Sequence, residues 1–315
     1  MAFRCREAEG LPLGGFDVNR LAFLTCLLGL LLMTGPVGGA TITDMLGRPV
    51  TVSGGPMRVV SLAPSLTEIV FALGRGDWLV GVTDFCDYPP ETRSKPKIGG
   101  PMTPDLERIV QLRPNLVLAT ADGNPRHVVA QLARLRIPVF GVKPEGFAGI
   151  LASVEAVGRA LGAEATAADL DREIRNRVAV TSHTLADRPH PSVLYLVWTD
   201  PLIAAGPTSY IHDLIRMAGG GNVVRDRSVP YPRLGWEEIV KAAPEVILVA
   251  TDHDKVNVSI GEEWKGWHSV PAVRAGRIIA VPGESINRPG PRVVEGLELL
   301  ARAIHPEAFA HLEKR

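Results

Sequence analysis

Short β-branched runs alternate with helix-periodic segments on both sides of a long proline-free stretch, and this pattern constrains the chain more than any other feature. Arg58-Val-Val-Ser-Leu62, bounded by Pro56 and Pro64, reads as a buried strand, and Ser65-Leu-Thr-Glu68 opens an apolar-periodic segment to Leu73. Ser65 and Glu68 have the spacing of a capping box, which assigns both to the start of a helix. Similar units follow, with strands at 79–82, 116–119 and 139–142 and helices over 104–112 and 125–136. Strands alternating with helices pair in parallel within an α/β layer. From 147 to 185 there is no proline, and Ala, Glu, Arg and Leu dominate with helical periodicity broken at Leu161-Gly162. That predicts two helices, the second over 166–185 and roughly 30 Å long. Past Pro189 and Pro191 the alternation resumes, with strands at 193–198, 246–250 and 278–281 and helices over 209–218, 236–242 and 291–304.

The expected fold class is therefore α/β, two α/β lobes with central parallel sheets joined by one long rigid helix. The division reads as a signal peptide over 1–40, a small hairpin over 41–56, an N-terminal lobe over 57–145, linking helices over 146–188 and a C-terminal lobe over 189–315. The signal peptide rests on the apolar run Leu21 to Met33, which is shorter than the roughly 20 residues a spanning helix needs and is followed by small Gly38-Gly-Ala40. Cleavage near Ala40 would export the protein to the periplasm. Glu7, Glu9 and Asp17 make the leader atypical, and translation starting further in is an alternative. Cys5 and Cys26 fall within it, so Cys86 is the one thiol expected in the mature protein, and Leu24-Thr-Cys26 is a poor lipoprotein site.

Lys and Arg number 34 and so do Asp and Glu, with no basic stripe, which argues against a nucleic-acid partner. The chain has no Gly-x-Ser-x-Gly, no His-Glu-x-x-His, no Cys-x-x-Cys and no phosphate-loop glycine motif. Gly74-Arg-Gly76 lacks the third glycine of a dinucleotide fingerprint and reads as a helix C-terminal turn. The expectation is a binder, with no catalytic residues, no cofactor and no resident metal. The eight histidines are scattered.

An internal echo links the halves. Residues 105–118 align without gaps on 235–248, matching Glu107 with Glu237, Ile109 with Ile239, Val110 with Val240, Pro114 with Pro244 and Leu118 with Leu248. A helix, a turn and a buried strand account for the apolar matches and the proline. A glutamate in a first helical turn also gains from the helix dipole, so the paired acids have a local explanation of their own.

Arg58-Val-Val-Ser-Leu-Ala-Pro-Ser-Leu-Thr-Glu68, Gly81-Val-Thr-Asp-Phe-Cys-Asp-Tyr-Pro-Pro90, Leu106-Glu-Arg-Ile-Val110, Ala218-Gly-Gly-Gly-Asn222 and Arg288-Pro-Gly-Pro-Arg292, in this order, resemble the periplasmic cobalamin-binding proteins of ABC importers. The resemblance runs from about Met57 to Ile304. It implies a class III periplasmic binding protein that holds cobalamin or a related corrinoid between its lobes and works as a monomer with a permease dimer and its ATPase subunits. It also implies that Glu107 and Glu237, one per lobe, dock on permease arginines. Equivalent charges on both halves suit a two-fold transporter, and carboxylates pair bidentately with guanidinium groups.

The resemblance places Phe85, Trp198, Tyr231 and Arg288 at or near ligand positions, where aromatic faces suit a large flat macrocycle. Phe85 and Trp198 also read as core aromatics, and Arg288 as a brace for the loop before the last helix. Two positions that carry aromatic contacts in the family are Pro101 and Thr120 here. Cys86 is either a soft ligand for cobalt or another metal, or a small packed residue. The rival reading is a ferric siderophore or haem binder, whose anionic chelate would call on Arg126, Lys143, Arg225, Arg227 or Arg233. A bare zinc or manganese receptor fits less well, since Leu66 follows Pro64-Ser65 where those proteins tend to carry a His.

Overall fold

The computed structural model describes residues 39–55, 57–251, 264 and 267–310. The expected signal peptide, apart from its last two residues, lies outside the described residues. An antiparallel hairpin of β1 (Ala40–Thr43) and β2 (Pro49–Val52) precedes the main body. Then follow β3 (Val59–Ser61), α1 (Pro64–Ala72), β4 (Leu79–Val82), α2 (Leu106–Gln111), β5 (Leu116–Thr120), α3 (Arg126–Arg134) and β6 (Val139–Val142). Two helices come next, α4 (Gly146–Ala160) and α5 (Glu164–Thr184). The second half holds β7 (Ser192–Thr199), β8 (Leu202–Ala204), α6 (Tyr210–Met217), β9 (Gly221–Asn222), α7 (Trp236–Ala242), β10 (Val246–Thr251), α8 (Pro271–Arg274), β11 (Ile278–Pro282), α9 (Gly283–Ile286), α10 (Val293–Ile304) and α11 (Pro306–Phe309).

The first sheet is fully parallel in the order β4-β3-β5-β6. The second has the order β11-β10-β7-β8 with β9 beside β7, and β8 alone runs antiparallel. Strand side chains alternate between faces, and both faces are apolar because helices cover both. Leu116 and Leu118 enter one core of the first lobe while Val117 and Ala119 enter the other. In the second lobe Val246 and Leu248 face one core, Ile247 and Val249 the opposite one. Each of these side chains is buried, worth about 1.5–3 kcal/mol for a Val, Leu or Ile.

The linkage is shared between two helices. Helix α4 starts against the second lobe, where the Phe147 amide donates to Asp213 Oδ2 at 3.0 Å and Ile150 joins that lobe's core. It ends in the first lobe, contributing Val154, Val157 and Ala160 to the core there. Helix α5 returns, with Ala167 and Leu170 packed on the first core and Val178 on the second. Gly158 makes the pairing possible, since a Cβ there would stand 2.6 Å from that of Ala167. The Arg177 guanidinium clips α5 to α10 by a bidentate pair with Glu298, at 2.9 and 2.8 Å.

The echo in the sequence is an echo in the backbone. Arg113 and Ala243, 130 residues apart, both take left-handed φ, +47° and +46°. The residues after the matched prolines then brace equivalent strands. Asn115 Oδ1 accepts from the Arg58 amide at 2.9 Å, and Glu245 Oε2 accepts from the Ser192 amide at 2.7 Å.

Candidate functional site

Strand β3 sits between β4 and β5, so the connections of β3 and β5 leave in opposite directions, and a crevice forms at their carboxyl ends, the usual ligand position in open α/β sheets. A cavity of about 730 Å³ opens there, within the range of small-molecule sites. The first lobe supplies Ala63, Pro64 and Ser65 after β3, Thr120, Asp122 and Gly123 after β5, and Pro101. The chain between β6 and α4 adds Glu145. Opposite stand Ser209, Tyr210, Tyr231, Asn287 and Arg288 from the second lobe. Pro101 and Thr120 are both wall residues.

The turn after β5 is pinned from several sides. The Thr120 amide donates to Asn124 Oδ1 at 2.8 Å, and the Gly123 amide donates to Thr120 Oγ1 at 3.1 Å. The buried Asn124 side chain then donates to the carbonyls of Leu62 and Pro101, at 2.9 and 3.0 Å. Asp122 is thus carried at the exposed apex of a fixed turn.

Of the four candidate ligand residues, Tyr231 and Arg288 line the cavity and Phe85 and Trp198 do not. Phe85 is 62% exposed at the rim, and its carbonyl accepts from Arg288 Nη2 at 3.4 Å. Trp198 is 46% exposed, so it is not a core residue, and its indole N–H donates to the Asp200 carbonyl at 2.6 Å. Tyr231 is 39% exposed, and burial pushes its phenol up to about 12. Tyr195 and Tyr210 are held behind it, donating to Asn287 Oδ1 and to the Ile286 carbonyl, each at 2.9 Å.

Arg288 belongs to an ionic cluster that ties the lobes together. Its guanidinium pairs bidentately with Asp87, Nη2 to Oδ2 at 2.8 Å, and Nη1 lies 3.5 Å from Glu68. Glu68 receives Arg292 at 3.0 and 2.6 Å, and that guanidinium stacks 3.9 Å over the Tyr88 ring. The hydrogen bonds from Arg288 hold the Asp87 carboxyl below the ordinary carboxylate range. The capping box expected at Ser65 and Glu68 does not form. Helix α1 begins at Pro64, with Ala63 as cap, so Ser65 is already inside the first turn and faces the cavity, while Glu68 turns to the arginines. The sequence assigns Glu68 to a cap and gives no role to Asp87 or Arg292, although all three lie in the resembling motifs.

Cys86 is buried, with the Thr67 and Thr83 hydroxyls each 3.1 Å from its sulfur, and burial raises its thiol above the ordinary value. It is the packed residue of the two readings. No cluster of three or more His, Cys, Asp or Glu able to hold a metal exists among the described residues. Of the cations considered for an anionic chelate, Lys143 pairs with Glu145 at 2.6 Å, and Arg126, Arg225, Arg227 and Arg233 are not among the cavity walls.

Glu107 and Glu237 are both exposed in the first turns of α2 and α7. Other acids do the capping: Asp105 accepts from the Arg108 amide at 3.0 Å, and Glu238 accepts from the Gly235 amide at 2.7 Å. Among the described residues neither Glu107 nor Glu237 has a partner, so neither caps its helix, and the favourable helix dipole in the first turn remains as a local explanation beside docking. Each helix runs opposite to the strand it feeds, so its first turn lies at the carboxyl edge of its sheet, the edge that opens on the cavity.

Residues 59–284 match the family described as periplasmic binding protein. The chain is 32% identical over 281 residues to a Bacillus subtilis protein named uncharacterized ABC transporter substrate-binding lipoprotein YvrC, covering 85% of this chain and 86% of that one. The crystal structure of the periplasmic vitamin B12 binding protein of Vibrio cholerae superposes with a TM-score of 0.71 at 26% identity, over 79% of this chain and 96% of that one. The periplasmic haem-binding protein RhuT from Roseiflexus sp. RS-1, in apo form, superposes with a TM-score of 0.71 at 30% identity, over 81% and 100%. The family match spans both lobes and the helices between them, and from it and the shared architecture it follows that the chain belongs to the periplasmic binding protein family.

Proposed function

We propose that this substrate-binding protein captures cobalamin or a related corrinoid between its lobes and delivers it to the permease of an ABC importer. The observation that carries the choice of ligand is the charge of the cavity wall. Among the described residues Arg288 is the one cation lining it, and its guanidinium is already engaged by Asp87 and Glu68. An anionic chelate would enter a site with no free positive partner, whereas a macrocycle bordered by amides finds hydroxyls, carbonyls and the Tyr231 ring. The likeness to the haem-binding protein favours an iron tetrapyrrole as second reading. Burial raises the Tyr231 phenol, which works against the tyrosinate form before any metal arrives.

Calorimetric titration of the purified protein with cyanocobalamin, haem and a ferric siderophore tests this. One-to-one binding of cyanocobalamin at submicromolar Kd, without turnover, is expected; heat from haem or the siderophore alone would move the substrate to iron. The leader over 1–40 would direct the monomer to the periplasm, with the N-terminus of the exported form found near Ala40. Glu107 and Glu237 would seat it on the permease. Reversing both charges, Glu107→Lys with Glu237→Lys, is expected to abolish uptake in a reconstituted transport assay while leaving the ligand Kd within twofold; a lost Kd instead would assign them to the ligand.

A further inference from the structure

We infer that Asp122 is the specificity-determining residue of the cavity, selecting macrocycles with hydrogen-bond donors on their periphery and rejecting those that carry carboxylates. This deepens the corrinoid reading and rests on it for the choice of ligand class. Three ionisable charges reach the cavity walls: Asp122, Glu145 and Arg288. Glu145 is paired with Lys143 at 2.6 Å, and Arg288 with Asp87. Asp122 has no hydrogen bond or ion pair among the described residues; Lys143 feels its charge but is bonded to Glu145, so the wall keeps a net negative charge centred on Asp122.

That charge is held in place by its surroundings. The hydrogen bonds around Thr120, Gly123 and Asn124 fix the turn that carries it, and Asn124 bolts the turn to two neighbouring loops. A carboxylate on a fixed turn is a preorganised acceptor, and its ordering entropy is spent before the ligand arrives. Its field reaches the other lobe: besides burial, the Asp122 charge pushes the Tyr231 phenol upward. A ligand lying between Asp122 and Tyr231 therefore meets a negative charge on one side and a protonated phenol on the other. Amide N–H groups on its rim would donate to Asp122, while a carboxylate in the same place would be repelled and would find Lys143 and Arg288 already paired. Two like charges oppose each other more strongly in a partly dry cleft than in water. Thr120, two residues before Asp122 on the same wall, offers a hydroxyl and no ring face, so an electrostatic filter stands where there is little to stack on.

The test uses the whole protein and three probes: cobinamide, cobyrinic acid, which is the same corrin ring with carboxylates in place of amides, and haem. Wild type is expected to bind cobinamide at least tenfold more tightly than cobyrinic acid. Asp122→Asn is expected to shrink that ratio at least fivefold with an unchanged melting temperature, and raising the salt concentration to shrink it in wild type alone. A ratio that stays the same in Asp122→Asn would overturn the inference and leave the corrinoid reading standing. If no corrinoid binds wild type, the corrinoid reading falls and haem decides the role of Asp122. A fivefold gain in haem affinity on Asp122→Asn then sustains the filter, and no gain overturns it.

Discussion

Glu68 is 4% exposed, and its charge is tolerated in the interior because Arg292 meets it with two hydrogen bonds. Removing the charge while keeping the shape, by Glu68→Gln, strands a guanidinium between the lobes and should cost about 3 kcal/mol in denaturant unfolding. Asp87 behaves differently because it is 45% exposed on its side chain. Its carboxyl is held low by Arg288, so its contribution is present above the unfolded carboxyl value of about 3.9 and fades as pH falls through the lower folded value. The melting difference between wild type and Asp87→Asn is expected to be flat from pH 8 to about 5 and to close below about 4, and solvent screening limits it to about 1 kcal/mol. The sequence made Arg288 visible through its motif and Tyr231 through the position that the resemblance assigns it. It hid Glu68, because an acid three residues after a serine fits a cap, and only the placement of Pro64 at the first helical position frees it. Asp122 was equally hidden, since an acid in a turn is ordinary until the other charges of the cavity prove to be neutralised.

Arg113 and Ala243 pay, at the level of single elements, for the tight passage from helix to strand. A left-handed residue with a Cβ is disfavoured by about 1 kcal/mol, and glycine is not. Ala243→Gly should therefore raise stability by roughly 0.5 kcal/mol, seen as a higher urea midpoint with unchanged slope; a fall would mean that the lost Cβ packing matters more than the strain. Elements with strong periodicity were legible beforehand: the helix expected over 236–242 coincides with α7, and strands β5, β7 and β10 fall where β-branched runs stand. Two short strands were not read, β8 and β9. With three and two residues they have no period to detect, and they exist because β7 offers them free edges. Both linking helices could be read from the sequence, but their joint role could not, since the alternation of cores along α4 depends on what it packs against.

The chain passes between the lobes as the strap from β6 to α4, as α4 and as α5, and the Glu68, Asp87, Arg288 and Arg292 cluster adds a further tie. Several covalent passages with packed helices resist the hinge rotation open to domains joined by flexible strands. Free and ligand-loaded crystal forms are expected to superpose lobe on lobe with a relative rotation of only a few degrees; a wide closure would show that the helices bend. The repeat of 130 residues has its own consequence at this scale. Glu107 and Glu237 stand in the first turns of helices that match in sequence on the two halves, so if both dock as proposed, the two docking faces would be related by roughly a half-turn. A partner with two-fold symmetry could then accept the protein in either of two orientations. That orientational degeneracy would double the number of productive encounters and lower the association free energy by RT ln 2, about 0.4 kcal/mol, with no additional contact. A cargo in the cavity between the lobes, having no two-fold symmetry of its own, would then arrive at the channel mouth in two distinct poses, and a release route that serves both must be indifferent to which of its edges leads.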